Sequence, residues 1–193
     1  MSKIETFCLI PELNLIVAGS SDNQLKIFKL QKNKDTGALE CNYASTIKKD
    51  SGNRVLEMSY SSTINHLIVL SSDNKFELIK LNLDNKESIL KKMLRHEKRK
   101  TLKRKRDEAD EADEDEDALD IKIDKDALAL KIEEGSYDVG LHFSKKLAFE
   151  LDVKSKAKSY QVLVTKSKSQ KTVLKVFVSY HSNQIHQYKY ELN

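Results

Sequence analysis

The chain has no tryptophan, one proline (Pro11), two cysteines and five glycines in 193 residues. With so little glycine and proline, its tight turns must come mainly from Asn, Asp and Ser, whose side chains bond to their own backbone. Cys8 and Cys41 have neither CxxC nor Cys/His spacing, which removes the usual zinc and thiol-redox motifs. Each is expected to be a small buried hydrophobe in a reducing compartment. No apolar run approaches the ~20 residues of a membrane helix. Phe7 to Ile10 is broken at once by Pro11 and Glu12, unlike a signal peptide. These absences lead us to expect a soluble intracellular protein with no membrane partner. The net charge of +4 is too mild to imply a nucleic-acid partner by itself.

What is present is a repeat. Leu15 to Leu30 reads LIVAGSSDNQLKIFKL, and Leu67 to Leu81 reads LIVLSSDNKFELIKL. A weaker third copy, Val176 to Leu192, reads VFVSYHSNQIHQYKYEL. Each has an apolar strand, a polar turn and a second strand of alternating character, which is the plan of a hairpin. Leu25, Phe76 and Ile185 open the second strands, and Phe28, Ile79 and Tyr188 follow three positions later. The latter three are expected to be at least mostly buried. Asp22 and Asp73 are expected as exposed turn formers. Further strands precede the later hairpins at Arg54 to Tyr60 and Tyr160 to Thr165, and three or four strands per unit fit a propeller blade. The fold class is therefore all-β, a partial WD-repeat β-propeller of about three blades with a charged, helical or disordered insertion. The WD signature itself is degraded: Phe28-Lys29, Ile79-Lys80 and Tyr188-Lys189 stand where Trp-Asp would, and no Gly-His pair precedes any copy. Three blades are too few for a ring, and the first copy lacks room for a complete blade before Leu15. A piece of a larger propeller is expected.

The insertion is the most charged part of the chain. Lys91 to Arg106 (KKMLRHEKRKTLKRKR) has ten cations in sixteen residues: Lys91, Lys92, Arg95, Lys98, Arg99, Lys100, Lys103, Arg104, Lys105 and Arg106. Asp107 to Asp117 follows, with nine acidic residues of eleven. Such blocks cannot bury a core. The basic run reads as a nuclear import signal centred on Lys103 to Arg106, as a contact to RNA phosphate, or as one half of a self-neutralising loop. It contains no aromatic residue, so base stacking is not indicated. Ala118 to Ile132 suggests a short amphipathic helix or a return strand, with Leu119, Ile123, Ala127 and Leu130 on one face. Leu141 to Leu151 reads as a strand that finishes the interrupted blade. The expected organisation is blades over 1–83, charged insertion over 84–135, and continuing blade strands over 136–193.

No catalytic, cofactor-binding or metal-binding constellation is found. His66, His96, His142, His181 and His186 are each expected as satisfied or exposed histidines; His181 and His186 are five apart but need not share a face of their hairpin, and no acidic ligand adjoins them. The acidic run lacks fixed geometry for acid–base work or a Ca²⁺ loop. There is no phosphate-binding glycine loop and no nucleophile elbow. The chain is expected not to be an enzyme and to take no small-molecule substrate.

Several features resemble, in order, the Utp12/Dip2 family (the WD-repeat protein three family of the small-subunit processome). Gly19 to Phe28 looks like one of its hairpins, and Ile47-Lys48-Lys49 and Gly52-Asn53-Arg54-Val55 lead into a strand. A degenerate SSDN hairpin ends in Phe76 to Leu81, and the basic run opens at Lys91. A return strand at Lys146 to Leu151 and a closing blade over Leu174 to Tyr188 complete the order. The resemblance covers essentially the whole chain; its most specific element is the basic run placed straight after a degenerate hairpin. It implies part of the second propeller of a nucleolar scaffold. The implied partners are other processome WD-repeat proteins of the UtpB subcomplex, the box C/D snoRNP and pre-rRNA, and the implied role is small-subunit rRNA maturation. The chain departs from that family by lacking the first propeller, most of the second and the C-terminal helical region. A WD-repeat adaptor of another complex is the alternative.

Overall fold

The computed structural model describes residues 3–83, 86–108, 124–133, 137–151, 153–167 and 169–192. The side chains of residues 86, 88, 102–108, 126, 132, 133, 145 and 146 also lie outside the description. Two compact units are formed, one by 1–83 with 143–193 and the other by 84–142.

The first unit contains three antiparallel sheets in which every strand pairs with its sequence neighbours. Sheet 1 comprises β1 (Ile4–Ile10), β2 (Leu15–Ser20), β3 (Gln24–Lys32) and β4 (Leu39–Lys48). Sheet 2 comprises β5 (Val55–Ser61), β6 (His66–Ser71), β7 (Lys75–Leu81) and β8 (Phe143–Glu150); sheet 3 has β9 (Ala157–Lys166), β10 (Thr172–Tyr180) and β11 (Ile185–Leu192). The chain leaves sheet 2 after β7 and returns as β8, which pairs with β7 from Leu81↔Phe143 to Lys75↔Glu150. Sheet 1 corrects one expectation. Its first copy is a full four-stranded sheet, because Ile4–Ile10 and Leu39–Lys48 both pair into it.

The first strands of the sheets are neighbours, β1 beside β5 and β5 beside β9. Successive up-and-down sheets fanned from adjacent first strands make an arc of blades, so the fold is all-β and partially propeller-like. Each sheet has a front face, toward the next sheet, and a back face. At Gly19 the front of sheet 1 comes so close to Val55 that an added Cβ would lie 2.8 Å from the valine Cβ. The same side of sheet 1 carries Leu15, Val17, Leu25 and Ile27, all buried. The front of sheet 2 presents Ile68, Leu70, Phe76 and Leu78 to Tyr160, Leu174, Val176 and Val178 on the back of sheet 3. Phe76 meets Tyr160 edge-on at 5.4 Å between ring centres, and Phe149 stacks on Tyr190 at 4.1 Å. Aromatic pairs of this kind add to the area they bury.

The front/back alternation decides the fate of the repeat residues. Leu25 and Phe76 point forward into a following sheet and are 0% exposed, whereas Ile185 points forward from the last sheet and is 72% exposed. Ile79 points back against sheet 1 and is buried. Phe28 points back from the first sheet and is only half-buried, edge-on to Tyr43. Tyr188 is also half-buried, its hydroxyl 2.8 Å from that of Tyr180. The expectation that all three would be mostly buried therefore holds fully for Ile79 alone.

Turns are built as the scarcity of glycine requires. Among the described residues, Asn14, Asn65, Asn74, Asn183 and Gln170 adopt positive φ, with Gly37 the one such glycine. Asn74 also fastens the turn of sheet 2 to the strand entering sheet 3. Its amide donates to the carbonyls of Val153 and Ser155, and its side-chain oxygen accepts Ala157 N–H at 2.8 Å. The cysteines differ from expectation. Cys41 is exposed; Cys8 is half-buried, and burial pushes its thiol up to about 11 against a hydrogen bond with the Tyr60 backbone.

The second unit holds two helices, α1 (Lys86–Glu108) and α2 (Lys125–Glu133). Of the segment read as a helix or return strand, the part described is helical. The phase differs from the expected one: Leu128 is buried against Ile89 and Met93, while Ala127 and Leu130 are exposed. Leu119 and Ile123 lie outside the described residues, as does the acidic run beyond Glu108. Among the described residues no helix is long and apolar enough to cross a membrane.

Candidate nucleic-acid interface

Helix α1 forms because its Lys, Arg, Leu, Met and Glu residues are good helix formers and because one side of it has something to bury. Ile89 and Met93, one turn apart, pack on Leu128, flanked by Leu90, Leu94, Tyr137 and Leu141. At about 100° per residue, Lys91, Arg95, Lys98 and Arg99 fall within roughly one quadrant on the opposite side, and all four are exposed. From Lys91 to Arg99 the row runs about 12 Å along the axis, at 1.5 Å per residue. Like charges three and four apart cost a helix about 0.2–0.5 kcal/mol each. Pairs such as Lys91/Arg95 and Arg95/Arg99 therefore work against the helix, and an anion laid along the row would relieve that repulsion. Glu87 offsets part of it, 2.7 Å from Lys91, and that ammonium holds the Glu87 carboxyl below its ordinary range.

The ten cations singled out from the sequence separate into groups. Lys91, Arg95, Lys98 and Arg99 form the outward row, and Lys100 is exposed on another side. Lys92 is turned inward: its Nζ donates to the Leu141 carbonyl at 2.7 Å, and burial lowers its pKa. That lysine helps hold the helical unit together and is not presented to a partner. Lys103, Arg104, Lys105 and Arg106 lie on the last turns of α1, with side chains outside the described residues.

A second ionic group escaped the sequence reading. Lys49, in the connection from sheet 1 to sheet 2, is 1% exposed, and Glu77 on β7 is 0% exposed. The Lys49 ammonium donates to the carbonyls of Ser51 and Asn53. Glu77 accepts the N–H groups of Asp50 and Ser51 at 2.8 and 3.1 Å. Asp73 accepts from the Ser51 hydroxyl and the Asn53 amide. Burial raises the Glu77 pKa and lowers that of Lys49, each opposed by the other's charge. Burial also pushes Asp73 upward, but its hydrogen bonds from Ser51, Asn53 and Lys75 outweigh that and hold its pKa down. These bonds tie the connecting loop to β7 and its turn, and the Lys49 N–H bonds the Asn23 carbonyl in the β2–β3 turn at 2.9 Å, so the group pins one sheet to the next. Nothing in the composition marked Lys49 or Glu77; only the packing of consecutive sheets brings them together.

Asp22 and Asp73 are turn formers as expected, but half-buried rather than exposed. Asp22 accepts the Gln24 N–H at 2.9 Å and the Ser20 hydroxyl at 2.6 Å. Among the described residues no cluster of three or more His, Cys, Asp or Glu could hold a metal ion. His186 lies edge-on to Tyr180, and the His142 ring meets the Tyr137 hydroxyl.

No family model and no curated protein matches this sequence. Among solved structures, the chain is similar to Saccharomyces cerevisiae Sqt1 at 8% identity and a TM-score of 0.43. The match covers 100% of this chain and 36% of that one. At such a distance the propeller-like architecture rests on the three sheets and their packing.

Proposed function

We propose that the chain is a non-catalytic scaffold of nucleolar small-subunit ribosome biogenesis, whose sheets carry a basic helix that contacts pre-rRNA. The observation that carries this reading is the outward row Lys91, Arg95, Lys98 and Arg99. Fixed cations on a regular helix suit phosphate contact, which positions RNA without reading its sequence. The buried ionic group is spent on joining sheets, which favours a scaffold over an enzyme. The family resemblance supplies the finer terms: processome WD-repeat proteins of the UtpB subcomplex, the box C/D snoRNP and the nucleolus.

The test is ultraviolet cross-linking of the tagged full chain in cells, followed by sequencing of the bound RNA, with localisation scored in parallel. Small-subunit pre-rRNA and box C/D snoRNA should dominate the cross-links, and replacing the four outward cations by Gln should remove them. A tagged chain that stays in the cytoplasm, or cross-links to neither RNA, would leave a WD-repeat adaptor of another complex. Replacing Lys103 to Arg106 and grafting on an unrelated import signal separates the two roles of the run. If the graft restores localisation but not cross-linking, RNA contact extends to that turn.

A further inference from the structure

From Val153 to Lys171 the chain has six lysines, at 154, 156, 158, 166, 168 and 171, and no acidic residue. Elsewhere acids are frequent, about one for every six residues of the whole chain. No arginine follows Arg106, so every cation of this stretch is lysine. Lysine is a compact point charge that suits a single phosphate oxygen, whereas the arginine fork suits paired contacts. The stretch starts in the connection from sheet 2 to sheet 3, runs through β9 and ends in the β9–β10 turn. Its lysines therefore form two groups, one at each end of a ten-residue strand about 33 Å long.

The two groups differ. In the far one Lys171 lies 3.5 Å from Glu191, and Lys168 is outside the described residues. In the near one Lys154, Lys156 and Lys158 are all exposed, and among the described residues none of the three forms an ion pair. Carboxylates of the adjoining strands are engaged: Glu150 lies 3.6 Å from Lys75, and Glu57 accepts the Tyr160 N–H at 2.9 Å. The backbone under the near group is gripped from both sides. From sheet 2 the Asn74 amide donates to the Val153 and Ser155 carbonyls, and its oxygen accepts the Ala157 N–H. From sheet 3 the His181 N–H donates to the Lys156 carbonyl at 3.1 Å, and the Ser182 N–H to the Ser155 hydroxyl at 3.2 Å. Both sheets that hold this loop are in place, so its exposure belongs to their junction. Four residues of chain span at most about 14 Å, which keeps the three cations within reach of one short run of phosphates.

We propose that this gripped loop is a second phosphate-contact surface, taking the backbone of single-stranded RNA at Lys154, Lys156 and Lys158. The proposal rests on the reading that the chain contacts RNA, and it gives the sheets their own share of that contact beside helix α1. A fixed backbone lowers the ordering cost of binding. The loop carries no exposed large hydrophobic residue, which a surface that inserts into a membrane would need.

Fluorescence anisotropy of the full chain with labelled oligouridine, over a series of salt concentrations, tests this. Replacing the three lysines together by Gln should make the slope of log K against log salt shallower by about 2.1, three contacts at 0.7 each. Lys32, Lys34 and Lys48 are exposed on the sheet 1 side; replacing them by Gln removes the same charge and should leave the slope unchanged. Equal losses in the two triple variants would overturn the proposal, because net charge and not a local contact would carry the effect. An unchanged slope in the loop variant would overturn it as well. If replacing Lys91, Arg95, Lys98 and Arg99 then still lowers the slope, the loop fails and the helix reading stands. A loss in the loop variant without one in the helix variant supports the loop and removes the helix. Binding to phosphatidylserine vesicles that needs the three lysines, with the RNA slope unchanged, would overturn the proposal in favour of a membrane surface. If circular dichroism shows the triple variant unfolded, Lys154→Gln and Lys156→Gln are read singly, each expected to lower the slope by about 0.7.

Discussion

Gly19→Ala should destabilise the protein, although alanine is the better strand residue by chain entropy. An added Cβ would lie 2.8, 2.9 and 3.0 Å from Val55 Cβ, Cγ2 and Cγ1. Comfortable carbon contacts are about 3.5–4.0 Å, so sheets 1 and 2 would have to separate locally by close to 1 Å. Overpacking of this kind costs about 1–3 kcal/mol. Gly19 does not have a positive φ, so alanine is compatible with the backbone and regains about 0.4–1 kcal/mol from the unfolded chain. With contacts as short as 2.8 Å to a buried valine the clash wins, and the net loss should reach at most about 2.6 kcal/mol. Urea unfolding followed by circular dichroism measures it as a lower midpoint at unchanged slope. Val55→Gly removes all three offending atoms and destabilises by itself, since Val55 is 1% exposed. In the double variant the two losses should not add, with a coupling of about 0.5–3 kcal/mol. A neutral or stabilising Gly19→Ala with no coupling to Val55 would refute the close approach of the two sheets.

The ionic group between those sheets yields two further predictions. Lys49→Met leaves Glu77 buried without its counter-charge and should cost about 3–5 kcal/mol, read by the same denaturation; adding Glu77→Gln should recover part of the loss. Asp73 has a depressed folded pKa, so its contribution is present above the unfolded carboxylate value near 3.9. That contribution is lost as pH falls through the folded value. Asp73→Asn should therefore be less stable than wild type at neutral pH and show a shallower decline in acid. Thermal unfolding from pH 7 down to pH 2 would show the two curves converging, and parallel curves would contradict the assigned shift.

The repeat was legible because turn chemistry and strand alternation are local: SSDN at two equivalent places locates two hairpins and their register. The return strand after the insertion was legible too, since Leu141 to Leu151 alternates like its partner β7. Local signals could not show which of two strand faces would meet another sheet. Ile185 and Leu25 look alike in sequence and differ in exposure because only one is followed by a further sheet. β1 escaped because Phe7 to Ile10 is a short apolar run ending at Pro11, and its role appears only when β2 pairs with it. On α1 the composition identified the cations, but helical phase and the Leu141 carbonyl separate Lys92 from Lys91. Lys49 and Glu77 sit 28 positions apart in the sequence, and no spacing rule joins them.

The claim that α1 lays a row of fixed cations on RNA phosphate is tested most directly by the salt dependence of binding. The full chain should bind single-stranded pre-rRNA segments and their scrambled versions with similar affinity, measured by fluorescence anisotropy over a series of salt concentrations. Each phosphate contact contributes about 0.7 to the slope of log K against log salt on a single strand. Replacing Lys91, Arg95, Lys98 and Arg99 together by Gln should make that slope shallower by about 2.8, four contacts at 0.7 each. A variant that keeps the wild-type slope and affinity would contradict the account.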